Sequence, residues 1–172
     1  MASEIFGGAM SGTSLDGVDV VLARFDGDPA APATDTGVQV LAHVYTPYST
    51  ALREEIKAVC HGQPLTLPQL GLLDLAVARK YVEAIRAALA QAGLQPAQVR
   101  AVGCHGQTVF HAPPVSWQMF NGAVLAHELG MPVVFDLRGA DLAAGGQGAP
   151  ITPLADWVLF RSREATAVVN LG

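Results

Sequence analysis

A polar, glycine-containing segment lies between two apolar runs near the amino terminus, and it constrains the fold more than any other stretch. Residues 11–17 read Ser-Gly-Thr-Ser-Leu-Asp-Gly, and the second apolar run extends from Val18 to Phe25. Two apolar runs joined by a tight polar turn are typical of a β-hairpin. Glycines let backbone N–H groups approach a ligand and adopt positive φ. We therefore predict an opening hairpin whose tip consists of glycines, hydroxyl groups and one carboxylate.

Two interpretations of this hairpin tip remain open from the residues alone. Successive N–H groups, together with the hydroxyls of Thr13 and Ser14, form the kind of concavity that holds phosphate oxygens. Asp16 could then lie near a Mg²⁺ ion or a metal-bound water. The alternative is an ordinary hairpin turn, because Asp-Gly is a strong hairpin signal in its own right.

The composition excludes several other classes of protein. The 172 residues are 51% hydrophobic and carry a net charge of −5, which suits one ordinary domain with a sizeable core. Since the chain has no basic stripe with interleaved aromatic residues, nucleic acid is not an expected partner. It also has no apolar stretch of about 18 residues and no secretion signal, so no membrane span is expected. Cys60 and Cys104 fit the reduced thiols of a cytoplasmic protein.

The order of the predicted elements indicates an α/β domain. Three strands come first, and the turns between them predict an antiparallel meander; they cover residues 5–10, 18–25 and 38–45, with a long exposed turn over 26–37. Helices then alternate with short strands. The helices cover residues 50–60, 67–92, 122–129 and 153–160, and the strands cover 101–104, 132–136 and 165–171. This pattern predicts a mixed sheet flanked by helices.

The sequence also marks both ends of the longest predicted helix. Thr66 and Gln69 have the spacing of a capping box, with Thr66 as N-cap and Gln69 three residues on. Pro68 suits the first turn of a helix, where a missing N–H is tolerated. Gly93 is a natural carboxyl-terminal cap.

A second group of polar residues follows the fourth predicted strand. His105, Gln107 and Thr108 offer a ring nitrogen, an amide and a hydroxyl, which suits a sugar or an acyl-amide ligand. Ligand sites in open α/β sheets lie at the carboxyl ends of strands, so the position is suitable. Alternatively, these side chains only satisfy the backbone of a turn at the end of the strand.

Arg138 and Asp141 follow the next predicted strand and also admit two interpretations. They could form an ion pair across a turn, or they could anchor a ligand carboxylate, which a guanidinium binds as a planar fork. The glycine-rich loop over residues 144–150 precedes a helix with Thr152 as its predicted N-cap, and helix N-termini favour anions. This loop lacks the lysine of a Walker loop and does not fit G-x-G-x-x-G.

No structural zinc site is expected. Such a site needs about four ligands at recognisable spacing. Cys104, His105 and His111 provide neither the number nor the spacing.

Together these segments resemble one family, the anhydro-N-acetylmuramic acid kinases. The resemblance is carried, in order, by residues 10–19, 105–108, 136–138 with Asp141, and 144–150. Residues 170–172 are similar to the start of the family's second phosphate motif. The resemblance implies a ribonuclease-H-like lobe of the kind found in actin, hexokinase and the heat-shock ATPases.

The resemblance implies a bacterial cytoplasmic enzyme of cell-wall recycling that uses ATP and Mg²⁺. Its small-molecule substrate would be 1,6-anhydro-N-acetylmuramic acid, and its product N-acetylmuramic acid 6-phosphate. Water would open the anhydro bridge at the anomeric carbon while the released 6-oxygen takes the γ-phosphoryl group. The resemblance implies neither nucleic acid nor membrane as a partner and leaves a homodimer open.

The resemblance assigns residues to two sides of a site. On the nucleotide side are Gly12, Thr13, Ser14, Leu15, Asp16, Gly17, Val18 and Asp19. On the sugar side are His105, Gln107, Thr108, Arg138 and Asp141. Arg138 would have the lactyl carboxylate of the sugar as its partner.

The resemblance also implies that residues 1–172 form the N-terminal lobe of a larger enzyme. The chain ends on an apolar predicted strand, and the family's catalytic aspartate lies in an Asp-x-Gly-Pro-Gly motif expected shortly after Gly172. We therefore assign no catalytic residue and no protein metal ligand within this chain, and we expect little turnover from it alone. The carboxylates not promoted to that role are Asp16, Asp19, Asp136, Asp141 and Asp156.

Two residues depart from the family pattern, and two other functions remain open. Phe120 stands where the family has glycine, which bears on the shape of the sugar cleft, and Asp156 stands where some members have histidine. One alternative is a kinase of the same superfamily that acts on another sugar or a small acid. The other is a non-catalytic lobe that binds a muropeptide or a nucleotide.

Overall fold

The structure, a computed structural model, describes residues 3–26, 37–160, 164 and 167–169. Its strands are β1 (Glu4–Ser11), β2 (Gly17–Asp26), β3 (Gly37–Pro47), β4 (Ala101–Ala112), β5 (Val115–Met119) and β6 (Val133–Val134). Its α-helices are α1 (Thr50–Cys60), α2 (Leu67–Ala92), α3 (Gly122–Leu129), α4 (Gly139–Ala143) and α5 (Pro153–Phe160). A single turn of 3₁₀ helix at Pro96–Gln98 leads into β4.

The strands form one mixed sheet in the order β3-β2-β1-β4-β5, with β6 also beside β4. The pairs β1/β2 and β2/β3 are antiparallel, which confirms the predicted meander. β4 runs parallel to β1 and β6 and antiparallel to β5. The mixed sheet flanked by helices confirms the predicted fold class, an α/β lobe of the ribonuclease-H-like type.

The long helix α2 forms the main layer over the sheet and has the predicted ends. The Thr66 hydroxyl accepts a hydrogen bond from the Gln69 N–H, and the Gln69 side chain accepts one from the Thr66 N–H at 2.9 Å. Gly93 ends the helix in the left-handed conformation, with φ of 65°. The buried residues of α2 belong to the same core cluster as the buried valines of β2. No helix in the described part of the chain is both long and apolar enough to cross a bilayer.

The predicted end of the fourth strand is wrong. β4 continues through His105 and Thr108 to Ala112, and the chain returns along β5, which was not predicted. The polar residues indicated a turn, but pairing with Ser11 of β1 and with β5 satisfies their backbone groups inside the sheet. Tertiary pairing therefore overrides the local signal.

Smaller differences occur towards the carboxyl end. The predicted strand over 132–136 contracts to β6, and the short helix α4 was not predicted. Of the predicted strand over 165–171, residues 167–169 are described and are not in a strand, while the remainder lies outside the described residues. The predicted turn over 26–37 falls largely on residues 27–36, which also lie outside them.

Candidate functional site

The segment between β1 and β2, residues 12–16, is called the β1–β2 turn below. The Leu15 N–H donates to the Gly12 carbonyl at 3.3 Å and closes a turn around Thr13 and Ser14. Leu15 has a φ of 55°, and its side chain is buried, which offsets the cost of this conformation for a residue with a Cβ. The left-handed conformation in this turn therefore falls on Leu15 and not on Gly12 or Gly17. The Asp-Gly pair lies at the end of the loop and does not form a two-residue hairpin turn.

The end of β3 and the residue after it hold the β1–β2 turn in place. The carbonyl oxygen of Asp16 accepts hydrogen bonds from the Tyr48 N–H and the Tyr45 hydroxyl, each at 2.9 Å. A Cβ on Gly17 would collide with the carbonyl oxygen of Thr46. Glycine is required at position 17 by this close approach of β3 rather than by its backbone conformation.

The β1–β2 turn carries an ionised carboxylate with a cation beside it. Asp16 is exposed, and its carboxylate accepts a hydrogen bond from the Ser14 hydroxyl at 2.7 Å. This hydrogen bond has the largest effect on the pKa of Asp16. Together with weaker contributions from backbone N–H groups and the charge of Arg53, it lowers the pKa against the opposing effect of burial. Arg53, on α1, also donates to the Ser14 carbonyl at 3.4 Å. The sequence analysis missed Arg53, which no local pattern marks.

A buried chain of hydrogen bonds, the Tyr48–Ser11–Gln107 chain, connects the base of the turn to β4. The Tyr48 hydroxyl donates to Ser11 Oγ at 2.9 Å, and the Ser11 hydroxyl donates to Gln107 Oε1. Gln107 Nε2 donates to the carbonyls of Gly12 at 3.0 Å and Thr108 at 3.1 Å. Gln107 is 0% exposed, and both its amide hydrogens and its oxygen are paired. The turn is therefore fixed to the sheet from below.

His105 is buried on β4 and is held by Arg138. Its Nδ1 lies 2.9 Å from the Gly106 carbonyl, and its Nε2 accepts from Arg138 Nη2 at 2.8 Å. A neutral ring with the proton on Nδ1 satisfies both contacts. Burial, reinforced by the charge of Arg138, lowers the pKa of His105 despite an opposing hydrogen bond to Gly106. The imidazole is therefore neutral at pH 7.

Arg138 and Asp141 fix the glycine-rich loop beside His105. Arg138 Nη1 donates to the Gly148 carbonyl, and Asp141 Oδ2 accepts from the Gly148 N–H at 2.6 Å. Both residues are described, and no ion pair joins them. Of the two interpretations left open by the sequence, the ion pair is wrong, because the two side chains hold Gly148 instead of each other.

A cavity of about 280 Å³, the His105 cavity, opens beside these residues. It is lined by His105, Ser116, Trp117, Gln118, Phe120, Phe135 and Asp136. Its volume is near the lower end of the range of about 300–1,000 Å³ found for small-ligand pockets. Aromatic faces combined with a few polar groups can bind a small polar molecule that has an apolar face.

A comparison with known families identifies the family of this chain. A family model described as anhydro-N-acetylmuramic acid kinase matches residues 4–172. This chain belongs to the anhydro-N-acetylmuramic acid kinase family. Membership confirms the resemblance and gives the reaction class, a phosphotransferase of amino-sugar and peptidoglycan recycling. The matched residues include both the β1–β2 turn and the His105 cavity.

The residues that the resemblance to this family assigns to the nucleotide side differ in exposure. The exposed ones are Thr13, Ser14, Asp16 and Asp19. The buried ones are Leu15, Gly17 and Val18, and Gly12 is half-buried. Asp19 lies 3.0 Å from His43 Nε2 on the neighbouring strand. The exposed groups of the turn can meet a ligand directly, whereas the buried ones contribute only its shape.

The residues that the resemblance assigns to the sugar side do not all lie at the His105 cavity. Among them only His105 lines the cavity; Arg138 contacts His105, and Asp141 reaches Gly148. Gln107, which is fully buried, and Thr108, which is half-buried, are not among the residues that line it. The sequence analysis missed the site residues of β5 because this strand was not predicted. The alternation of the apolar residues Val115, Trp117 and Met119 with the polar Ser116 and Gln118 is the signal that could have indicated it.

The donor atoms of the turn suit magnesium better than a transition metal. Among the described residues, no group of three or more His, Cys, Asp or Glu side chains could hold a metal ion. Burial raises the pKa of the Cys104 thiol to about 12, so it is not a thiolate at neutral pH. Mg²⁺ needs only one or two carboxylates when phosphates and waters complete its shell. The ionised Asp16 carboxylate fits that requirement.

Proposed function

We propose that this chain forms the phosphate-binding and sugar-binding side of an ATP-dependent kinase. The kinase converts 1,6-anhydro-N-acetylmuramic acid to N-acetylmuramic acid 6-phosphate in the cytoplasm, as part of cell-wall recycling. The observation that carries the proposal is the β1–β2 turn, whose hydroxyls and ionised carboxylate are exposed while its base is fixed by buried hydrogen bonds. Family membership supports the reaction class.

The β1–β2 turn is the proposed site of the nucleotide phosphates. Thr13 and Ser14 offer hydroxyls, and the backbone of the turn offers N–H groups, to phosphate oxygens. Asp16 would hold Mg²⁺ directly or through a bound water, and the ion, when bound, neutralises the charge of the phosphates. Asp19, further along β2, is proposed to support the same side of the site.

The His105 cavity is the proposed site of the sugar. Three of the five N–H donors of Arg138 are used by His105 and Gly148, so two remain for a ligand carboxylate such as the lactyl group. Asp141 supports this arrangement by holding the same loop. Thr108 is proposed to act near the sugar, whereas we propose that Gln107 supports the β1–β2 turn, since it is fully buried and bonded to Gly12.

The reaction requires three tasks, and the residues of this chain suit two of them. Phosphate oxygens must be held, and the sugar oxygen must lie in line with the γ-phosphorus, which is a positioning task. A carboxylate must also activate the attacking water. We propose that residues 1–172 act as an N-terminal lobe and that this carboxylate comes from the motif that the family resemblance expects beyond Gly172.

The proposal is tested by calorimetric titration of the 172-residue chain with Mg²⁺–ATP. Replacing Asp16 with Asn should weaken Mg²⁺–ATP binding by about tenfold or more, the scale of one lost charge-assisted contact. Asp26→Asn is the matched control, because Asp26 is an exposed carboxylate at the other end of β2. Equal affinities of the two variants would contradict the proposed phosphate site.

Phe120 favours a second candidate substrate class. Its side chain forms part of the cavity wall and makes a tilted contact with Phe135 at 5.8 Å between ring centroids. Where the family pattern has glycine, this ring narrows the cavity. A kinase for a smaller sugar or a small acid would suit the narrowed space. Competition between 1,6-anhydro-N-acetylmuramic acid and smaller sugars for the chain separates the two candidates.

A further inference from the structure

Tyr81 of α2 carries a buried hydroxyl that the interactions described so far do not use. Its side chain is 0% exposed. Within the described part of the chain its hydroxyl is a buried polar atom without a hydrogen-bond partner. Buried polar groups are normally paired, and an unpaired one lowers stability, so this hydroxyl requires a physical explanation.

The hydroxyl faces the point where β1 and β4 lose their regular pairing. Ala9 pairs with Cys104 and Ser11 pairs with Gln107, so β4 contains one extra residue between these pairs. Gly106 lies in this bulge with a φ of 78°. Burial raises the pKa of Tyr81 well above its ordinary value, while backbone groups of Ser11 and Gly106 lie close enough to oppose this increase. The hydroxyl is therefore close to both strands.

The ring of Tyr81 contacts a residue of the cavity wall. It packs edge-to-face against Phe120, with 5.1 Å between the ring centroids and 72° between the ring planes. Phe120 lines the His105 cavity. A Cβ on Gly106 would come within 2.9 Å of the Cβ of Phe120, so the bulge and the cavity wall are in close contact. Tyr81 therefore contacts the wall of the proposed sugar site, and its hydroxyl lies near Ser11 at the base of the proposed phosphate site without a hydrogen bond to it.

We propose that Tyr81 is a positioning residue that couples the two halves of the site. Its hydroxyl gains a hydrogen bond to the main chain of the bulge at Gly106 only when ligands at the β1–β2 turn and in the cavity together draw the bulge towards α2. A bond gained only in the doubly occupied chain makes each ligand bind more tightly in the presence of the other. This inference rests on the proposed function, since it assumes that the turn binds phosphates and the cavity binds sugar.

The test compares the 172-residue chain with its Tyr81→Phe variant, which removes only the hydroxyl. Each is titrated with the Mg²⁺ complex of a non-hydrolysable ATP analogue, with and without saturating 1,6-anhydro-N-acetylmuramic acid. In the parent chain the sugar should tighten nucleotide binding, and Tyr81→Phe should remove about fivefold of that enhancement, the usual scale of one hydrogen bond. The melting temperature of the free variant should be unchanged or higher, because an unpaired buried hydroxyl is lost.

Ile85→Val is the matched control, because Ile85 is also 0% exposed and lies one turn further along α2. It should lower the melting temperature and leave the enhancement intact. If the parent chain binds neither ligand, the proposed function fails, and the coupling fails with it. If the parent chain binds both ligands without enhancement, or Tyr81→Phe keeps the full enhancement, the inference about Tyr81 alone is overturned. A lower melting temperature for the free Tyr81→Phe chain would also overturn it, because the hydroxyl would then be paired without ligands.

Discussion

The protonation state of the His105 imidazole follows from its surroundings. Burial and the nearby guanidinium of Arg138 favour the neutral ring, and Arg138 needs the unprotonated Nε2 as an acceptor. Protonation would therefore bury the positive charge of the imidazolium, place it beside the positive charge of Arg138 and remove the hydrogen bond from Arg138. Through its hydrogen bond with Arg138, the His105 side chain in the cavity wall is connected to the glycine-rich loop at Gly148.

The lowered pKa predicts how stability depends on pH. Below the ordinary histidine value of 6.5 the unfolded chain binds a proton at His105 and the folded chain does not. The contribution of His105 is therefore complete above pH 6.5 and is lost as the pH falls towards the lowered folded pKa. His105→Gln should flatten the decline in melting temperature between about pH 7 and pH 5. His61→Gln, an exposed histidine after α1, is the control and should keep the decline.

A substitution at Gln107 tests whether this side chain supports the β1–β2 turn or contacts a ligand directly. Leu in its place has a similar size but leaves the Gly12 carbonyl and the Ser11 hydroxyl without their partner. Gln107→Leu should lower the free energy of unfolding by about 1–3 kcal/mol, measured by urea denaturation. Gln118→Leu, in the cavity lining, should instead change sugar affinity with little effect on stability. A Gln107→Leu chain of unchanged stability and weakened sugar binding would contradict the supporting role.

At the scale of elements, the β1–β2 turn depends on four strands. β1 and β2 define its ends, β3 holds it through Tyr45 with the help of Tyr48 just after the strand, and β4 connects to it through Gln107. The exposed groups of the turn therefore stand on a base that is fixed in several directions. Such fixed donors lose little conformational freedom when they meet phosphate oxygens.

The close approach of β3 to the turn predicts a strong effect of a single methyl group. Gly17→Ala should lower the free energy of unfolding by about 1–3 kcal/mol, because the added Cβ collides with the backbone of β3. Gly8→Ala, on β1 of the same hairpin, is the control, since a Cβ there meets nothing within 4 Å. Urea denaturation of both variants measures the difference. Equal stabilities would show that β3 does not constrain position 17.

At the scale of the whole molecule, we expect the 172-residue chain to turn over slowly or not at all. The chain contains the proposed phosphate turn and the proposed sugar cavity, whereas the family resemblance leads us to propose that the catalytic aspartate lies beyond Gly172. A coupled assay with ATP, Mg²⁺ and 1,6-anhydro-N-acetylmuramic acid should therefore remain near the background rate. Calorimetric binding of Mg²⁺–ATP by the same preparation is the control for folding. Robust turnover would contradict the missing-carboxylate argument.

Predictions from local pattern agree with the structure where local contacts dominate. The meander follows from apolar runs separated by polar turns, and the ends of α2 follow from Thr66, Gln69 and Gly93, whose bonds span a few residues. Predictions failed where a distant partner decides the outcome. β5 forms because it pairs with β4. The polar residues of β4 lie within the sheet because their backbone pairs with Ser11 of β1 and with β5.

The sequence by itself determined the α/β class, the polar tip between the first two strands and the family resemblance, because these depend on residue order and short-range periodicity. Only the tertiary structure decided that Gln107 is buried and bonded to Gly12 rather than lining the cavity, that Arg138 and Asp141 both hold Gly148, and that Tyr81 packs against Phe120 of the cavity wall. The physical reason is that burial and hydrogen-bond partners depend on segments far apart in the chain. A local pattern contains no information about which of those segments will meet.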